Sequence, residues 1–226
     1  MPVDLETDYA LSALPRHLRH DATVYLLDPQ KGYYVGRQGS NGYICFIART
    51  EWEWAEFRDD VYAPISYDAE GAQTAFPIYI AVAAMRASGK YKATEIRDSI
   101  RNKIINGEFK AFSKPGMSYM LAPVMRVYPG GPDNKDLVTV NMPHYMLYAP
   151  YLPEENSRYK NGTQGLFLVN PDNSILGNGK GPYGYIIIPS GETEKKIILE
   201  DGKDLLKRLV AYKACFKTEP GVTHHH

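Results

Sequence analysis

The sequence has few of the features that mark specialised classes of protein. It contains only two cysteines, Cys45 and Cys215, and their spacing excludes a CxxC pair or a zinc-finger pattern. No stretch approaches the roughly 20 consecutive apolar residues that cross a bilayer. The 26 basic side chains are balanced by 26 acidic ones, so no net charge favours nucleic acid or an anionic membrane. We therefore expect no membrane span and no nucleic-acid partner.

Histidine is also scarce. Three of the six histidines close the chain, and we interpret them as the remnant of a purification tag within a tail at 221–226. The other three are His17, His20 and His144. Residues 1–20 are polar and show no signal peptide.

What the sequence does contain is typical of a folded protein, with 44% hydrophobic and 23% charged residues. Its length suits one domain, which we place at 1–220. The most unusual number is 18 tyrosines. Tyrosine joins an apolar ring to a polar tip, so it suits both a sheet face and a ligand pocket. The two interpretations are a tyrosine-rich sheet face and an aromatic-walled site for a small molecule.

The order of predicted elements gives the fold class. Apolar and β-branched runs predict strands at 22–28, 32–37 and 42–49, joined as an antiparallel meander by the Asn41-Gly42 turn. A loop at 64–74 leads to two central helices at 75–89 and 93–107. Further strands (117–128, 137–149, 165–169 and 184–189) precede a C-terminal helix at 201–216. We predict a single α+β domain with an antiparallel or mixed sheet.

One stretch with candidate chemistry is N-M-P-H-Y-M-L-Y-A-P, residues 141–150. If it is extended, side chains alternate, so Met142, His144, Met146 and Tyr148 share one face. Two thioethers and an imidazole form a soft ligand set suited to Cu(I). The alternative is a buried, hydrogen-bonded histidine in a core where methionine fills gaps.

Two carboxylates, Asp68 and Glu70, come shortly before a predicted helix, where the helix dipole favours negative charge. That position alone explains them. The functional alternative makes them partners of His144, as groups that orient a base or as oxygen ligands. A divalent cation would need further ligands or water.

A hydrolase is the second functional hypothesis. Ser118 lies in K-P-G-M-S-Y-M-L, which is not the G-x-S-x-G of a nucleophile elbow. The composition still allows Ser118 or water as nucleophile, His144 as base and Asp68 or Glu70 as its orienting group. The nearby Tyr119, Tyr145 and Tyr148 are candidate ligand-binding residues. A third hypothesis is a binding or structural module without chemistry. The sequence does not identify a cofactor.

Several stretches together resemble a group of uncharacterised bacterial proteins. They are G-S-N-G-Y-I-C-F, S-Y-D-A-E-G-A-Q-T, K-P-G-M-S-Y-M-L, M-P-H-Y-M-L-Y-A-P and G-P-Y-G-Y-I-I. Proteins of this group often carry a signal peptide, so the resemblance implies a periplasmic or secreted location. It implies no activity and no catalytic residue. The leading expectation is therefore a protein that binds a small molecule or a metal near His144.

Overall fold

The computed structural model describes residues 1–49, 58–127, 137–151 and 182–218, and the backbone of 167–169. The helices are α1 (Val3–Leu11), α2 (Ala69–Thr74), α3 (Phe76–Ala87), α4 (Ala93–Ile105), α5 (Glu192–Asp201) and α6 (Lys203–Tyr212). The strands are β1 (Thr23–Asp28), β2 (Gly32–Arg37), β3 (Ile44–Ala48), β4 (Ala63–Tyr67), β5 (Met117–Met120), β6 (Met125–Val127), β7 (Val138–Val140), β8 (His144–Tyr148), β9 (Phe167–Val169) and β10 (Tyr185–Pro189).

Eight of these strands form one mixed sheet in the order β2-β1-β3-β4-β5-β8-β10-β9, and β6 pairs with β7 in a small second sheet. The predicted α+β class is confirmed. Within the described ranges, no helix combines the length and the apolar character that a bilayer crossing requires.

The predicted meander at the start of the chain is wrong. Strand β3 lies on the far side of β1 from β2 and runs parallel to β1, with Val24 opposite Cys45. The β2–β3 connection instead passes the beginning of β1, where the backbone N–H groups of Ser40 and Asn41 both donate to the carbonyl oxygen of Asp21. The turn glycine is still needed, because Gly42 has φ +81°.

The predicted loop at 64–74 is also wrong. Residues Ala63–Tyr67 form β4, a fully buried strand near the middle of the sheet, and α2 follows at once. Pro64 is tolerated because β5 pairs with β4 only at Ser66 and Tyr67, so no ladder bond to β5 is lost at the proline. Helix α2 begins after Asp68, whose side chain accepts a hydrogen bond from the Gly71 N–H.

Helix α4 buries three isoleucines that recur every four residues in the sequence. Ile96 and Ile100 are completely buried and Ile104 nearly so, whereas Ile105 is 63% exposed. At the start of the helix, the Glu95 carboxylate accepts a hydrogen bond from the Lys92 N–H at 2.7 Å. Gly107, with φ +72°, follows the end of the helix in the left-handed conformation that glycine favours.

The predicted helix at 201–216 consists of a helix and a turn, and a further helix precedes it. Helices α5 and α6 meet at Gly202, and a 3-10 turn, Ala214–Phe216, follows α6. A side chain at position 202 would approach Pro123 within 2.7 Å, so the glycine permits close packing there.

The two faces of the sheet hold separate apolar clusters. One includes Phe46, Tyr67 and Ile100 and is covered by α3 and α4. The other includes Cys45 and Phe216 and is covered by α1 and α6. Alternation along β3 explains why adjacent residues enter different clusters. Cys45 is fully buried, and burial raises the pKa of its thiol. Both cysteines are free thiols.

Candidate functional site

Asp68 is committed to three hydrogen bonds within the protein. Its Oδ1 accepts from the Gly71 N–H at 3.0 Å and from the Tyr148 hydroxyl at 2.9 Å. Its Oδ2 accepts from the Met117 N–H at 2.9 Å. The carboxylate therefore joins the start of α2 to β5 and β8, which is a structural task.

Glu70 anchors the segment before β5. Its Oε1 accepts from the Ser113 N–H at 2.6 Å, from the Ser113 hydroxyl at 3.0 Å and from the Lys114 N–H at 3.3 Å. The backbone hydrogen bond from Ser113 is the largest cause of the lowered pKa of Glu70. Neither Glu70 nor Asp68 has a described hydrogen bond to His144.

Ser118 is fully buried, and its hydroxyl donates to the Ser66 carbonyl oxygen at 2.7 Å. The β5–β8 register places Ser118 opposite Met146, and Met120 opposite His144. Among the described residues, then, the serine, the histidine and the two carboxylates do not form a hydrogen-bonded triad. The geometry gives the hydrolase hypothesis no support.

His144 lies at the start of β8 and is 4% exposed. Its Nδ1 lies 2.8 Å from the carbonyl oxygen of Met142. Burial lowers the pKa of the imidazole, and the hydrogen bond opposes this by a smaller amount. The ring is therefore neutral at pH 7, with one nitrogen committed to the backbone.

The predicted alternation along β8 is observed, since His144, Met146 and Tyr148 are buried on one face and Tyr145 and Leu147 are less buried. Met142, which precedes the strand, packs partly buried against the same apolar cluster as Met146. Within the described ranges, no group of three or more His, Cys, Asp or Glu side chains is arranged to hold a metal ion.

The three tyrosines predicted as ligand-binding residues lie on two faces. Tyr148 stacks on Phe112 with ring centroids 4.0 Å apart, and burial is the main cause of its raised pKa. Tyr119 and Tyr145 lie directly opposite each other on β5 and β8, and strand alternation places both on the other face of the sheet from Tyr148. Their ring centroids are 5.7 Å apart. The Tyr145 hydroxyl donates to Glu194, and burial raises the pKa of Tyr119 to about 12. These residues therefore do not line one common site.

An open cleft lies elsewhere, between α3 and the ends of β1, β2 and β3. Its volume is about 410 Å³. The wall combines apolar side chains, two tyrosines, two arginines and one aspartate, namely Met1, Leu27, Pro29, Tyr33, Arg49, Asp59, Tyr79, Val82, Ala83 and Arg86. Arg86 forms an ion pair with Asp59 at the rim.

The aromatic and cationic side chains of the cleft pack against buried aromatic rings. Tyr33 and Tyr79 both pack on Phe46, with centroids 5.6 and 4.9 Å away, and the Tyr33 hydroxyl donates to the Ile47 carbonyl oxygen. The Arg49 guanidinium carbon lies 4.2 Å from the centre of the Tyr62 ring.

Arg49 retains unused hydrogen-bonding capacity. Its Nη2 donates to the Asp59 carbonyl oxygen at 3.3 Å, while its Nε is buried and has no hydrogen-bond partner among the described residues. Sequence reasoning did not identify this cleft, because Tyr33, Arg49 and Tyr79 come from three elements and form no motif.

Comparison with known proteins gives no further guidance: no protein-family model, curated protein or solved structure matches the chain.

Proposed function

We propose that the protein binds a small organic molecule in the cleft between α3 and the ends of β1–β3. The observation that carries the proposal is a cavity of about 410 Å³ in which fixed tyrosine rings and the Arg49 guanidinium converge. Ligand sites typically measure about 300–1,000 Å³ and combine apolar walls with a few placed polar groups. The expected small-molecule ligand thus stays part of the proposal, at a different place from His144.

The chemistry of the wall indicates a ligand with a flat apolar body and an anionic group. The rings of Tyr33 and Tyr79 and the side chains of Val82 and Ala83 suit an aromatic or alicyclic body. A guanidinium pairs well with a carboxylate or phosphate.

The other hypotheses have less support. The hydroxyl of Ser118 and the carboxylates of Asp68 and Glu70 are used to join backbone segments. A periplasmic or secreted location is supported by the resemblance of the sequence alone, and fractionation of cells that express the natural gene tests it.

The test is a binding assay by ligand-observed NMR with matched pairs: benzoate, phenylacetate and 3-phenylpropionate, each against its neutral amide. We expect at least one acid to bind about tenfold more tightly than its amide, because the amide cannot pair with the charge of Arg49. Failure of all three acids at millimolar concentration would reject the proposed ligand class.

Two variants locate the site. Ala83→Leu fills the cleft and should abolish binding, whereas Ala84→Leu, one residue further along α3 and exposed, should not change it. Arg49→Met should remove the preference for the acid, while Arg101→Met on the exposed side of α4 should keep it. Equal binding by Ala83→Leu and Ala84→Leu would place the ligand elsewhere.

A further inference from the structure

Residues with soft donor atoms share one face of the sheet, away from the cleft. Met120 on β5 lies directly opposite His144 on β8, and Met146 is the next residue on the same face of β8. Side chains directly opposite in an antiparallel pair have Cβ atoms roughly 4.5–5.5 Å apart. A methionine side chain is long and flexible enough to bring its sulfur towards a neighbouring imidazole.

The histidine ring is already oriented as a ligand. A carbonyl oxygen only accepts hydrogen bonds, so the contact with Met142 places the proton on Nδ1. The lone pair of the neutral ring is then on Nε2, and no donor among the described residues reaches it. Metal-binding histidines almost always donate their other ring N–H to a carbonyl or carboxylate in this way.

Around His144, the part of the chain that the structure describes offers thioethers and no cluster of three or more His, Cys, Asp or Glu side chains. Met120 and Met146 are 8% and 6% exposed, and both belong to the apolar cluster against which Met142 packs. Cys45 and Cys215 belong to the cluster on the other face of the sheet. Carboxylates suit Mg²⁺ and Ca²⁺, and zinc sites use thiolate, imidazole or carboxylate ligands, whereas thioethers select Cu(I).

From this arrangement we propose that Met120, Met146 and the Nε2 of His144 bind a soft monovalent cation, Cu(I) or Ag(I), with Met142 as a fourth donor. The proposal does not depend on the cleft, because its donors lie on β5, β8 and the residues just before β8. Buried side chains around the site would shield the bound ion from water and from oxidants.

The first test uses the whole chain with its methionine methyl groups labelled with ¹³C. Ag(I) is added as a probe that is not oxidised or reduced under these conditions. We expect the methyl signals of Met120, Met142 and Met146 to move with one equivalent of bound ion. The signals of Met85 and Met125, which belong to or pack against the same apolar cluster, serve as internal controls and should stay in place. Equal movement of all five signals, or none at Met120 and Met146, would overturn the proposal.

The second test compares two double variants by competition with a colorimetric Cu(I) chelator, in protein without residues 224–226. Met120→Leu with Met146→Leu should weaken Cu(I) binding at least about tenfold, since leucine keeps the volume but removes the thioether. Met85→Leu with Met125→Leu should leave the affinity within about threefold. Both proteins keep Cys45 and Cys215, so binding to thiols cancels in the comparison. Equal affinities in the two variants would show that the copper is held elsewhere.

Discussion

Two polar regions of the molecule use their groups in opposite ways. The first region is the Asp68 cluster, which comprises Asp68, Gly71, Gly116, Met117 and Tyr148. Its carboxylate oxygens accept three hydrogen bonds, and its two glycines are packed so closely that no space remains for a side chain. In the cleft beside Arg49, space for a ligand remains, and within the described ranges the buried Nε of Arg49 has no hydrogen-bond partner. An acid beside a tyrosine suggests chemistry in the sequence, yet here it holds strands and a helix together. Function is better sought where polar capacity is unused.

The largest effect is expected deep in the apolar cluster that contains Tyr148. Ile100→Ala should reduce the free energy of unfolding by about 2–5 kcal/mol, because the completely buried side chain leaves a cavity. Ile105→Ala is the matched control on the same helix, and with 63% exposure it should change stability by about 0.5 kcal/mol or less. Chemical denaturation measures both. A similar loss for the two variants would mean that α4 is packed differently.

Substitutions that enlarge a side chain should distinguish the Asp68 cluster from the cleft most clearly. A methyl group at Gly71 would approach the Tyr67 Cβ within 2.8 Å and also meet the Tyr148 hydroxyl. Gly71→Ala should therefore cost about 1–3 kcal/mol through overpacking. Ala83→Leu adds three carbons but directs them into open space, so it should cost less than about 1 kcal/mol. If the larger addition at position 83 were the more damaging in urea denaturation, the cleft would not be open.

The stability of the protein should also depend on acid pH through His144, which is buried on the same strand as Tyr148. Burial lowers the pKa of the folded-state imidazole below its ordinary 6.5, so the unfolded chain binds the proton more readily. Stability should then fall as the pH drops below 6.5, until the folded-state pKa is reached. Urea titrations between pH 7 and pH 5 measure this loss. A His144→Gln variant should lack that part of the acid dependence, and an unchanged slope would show that the ring titrates freely in the folded protein.

The smallest effect is expected at Glu70, which lies nearer the surface. Its pKa is lowered chiefly by the Ser113 N–H, so its contribution to stability is complete above the unfolded value of 4.5 and is lost as the pH falls through the folded-state value. Glu70→Gln should lower stability modestly at pH 7, because a neutral amide oxygen accepts these hydrogen bonds more weakly than a carboxylate, and should make stability less sensitive to pH below 4.5. Urea denaturation at a series of acid pH values measures both effects, and an acid response identical to that of the parent would contradict the prediction.

Local patterns in the sequence were sufficient where the structure is decided locally. The isoleucines of α4 recur every four residues, and the alternation of β8 buries His144 and Met146 together. The order of β1, β2 and β3 in the sheet could not be predicted from local sequence patterns. It depends on hydrogen bonds between the β2–β3 connection and Asp21, and a turn motif such as Asn41-Gly42 does not specify on which side of β1 the next strand is added.

The candidate sites show the same limit. Sequence reasoning found that His144 and two methionines share a face, but Met120 entered only through the pairing of β5 with β8. The cleft could not be predicted from the sequence for a related reason. Its residues form no sequence motif, and only the tertiary fold brings them together.

The packing of Phe216 has a consequence for the protein during its synthesis. This ring contacts both Tyr9 and Tyr62, with centroids 5.7 and 4.7 Å away, and nearby Arg208 pairs with Asp4 and Asp8. The first helix and the early strands thus leave the ribosome long before the side chains that cover them. Until residues 203–216 are made, one apolar face of the emerging sheet lacks its cover and is a target for chaperones.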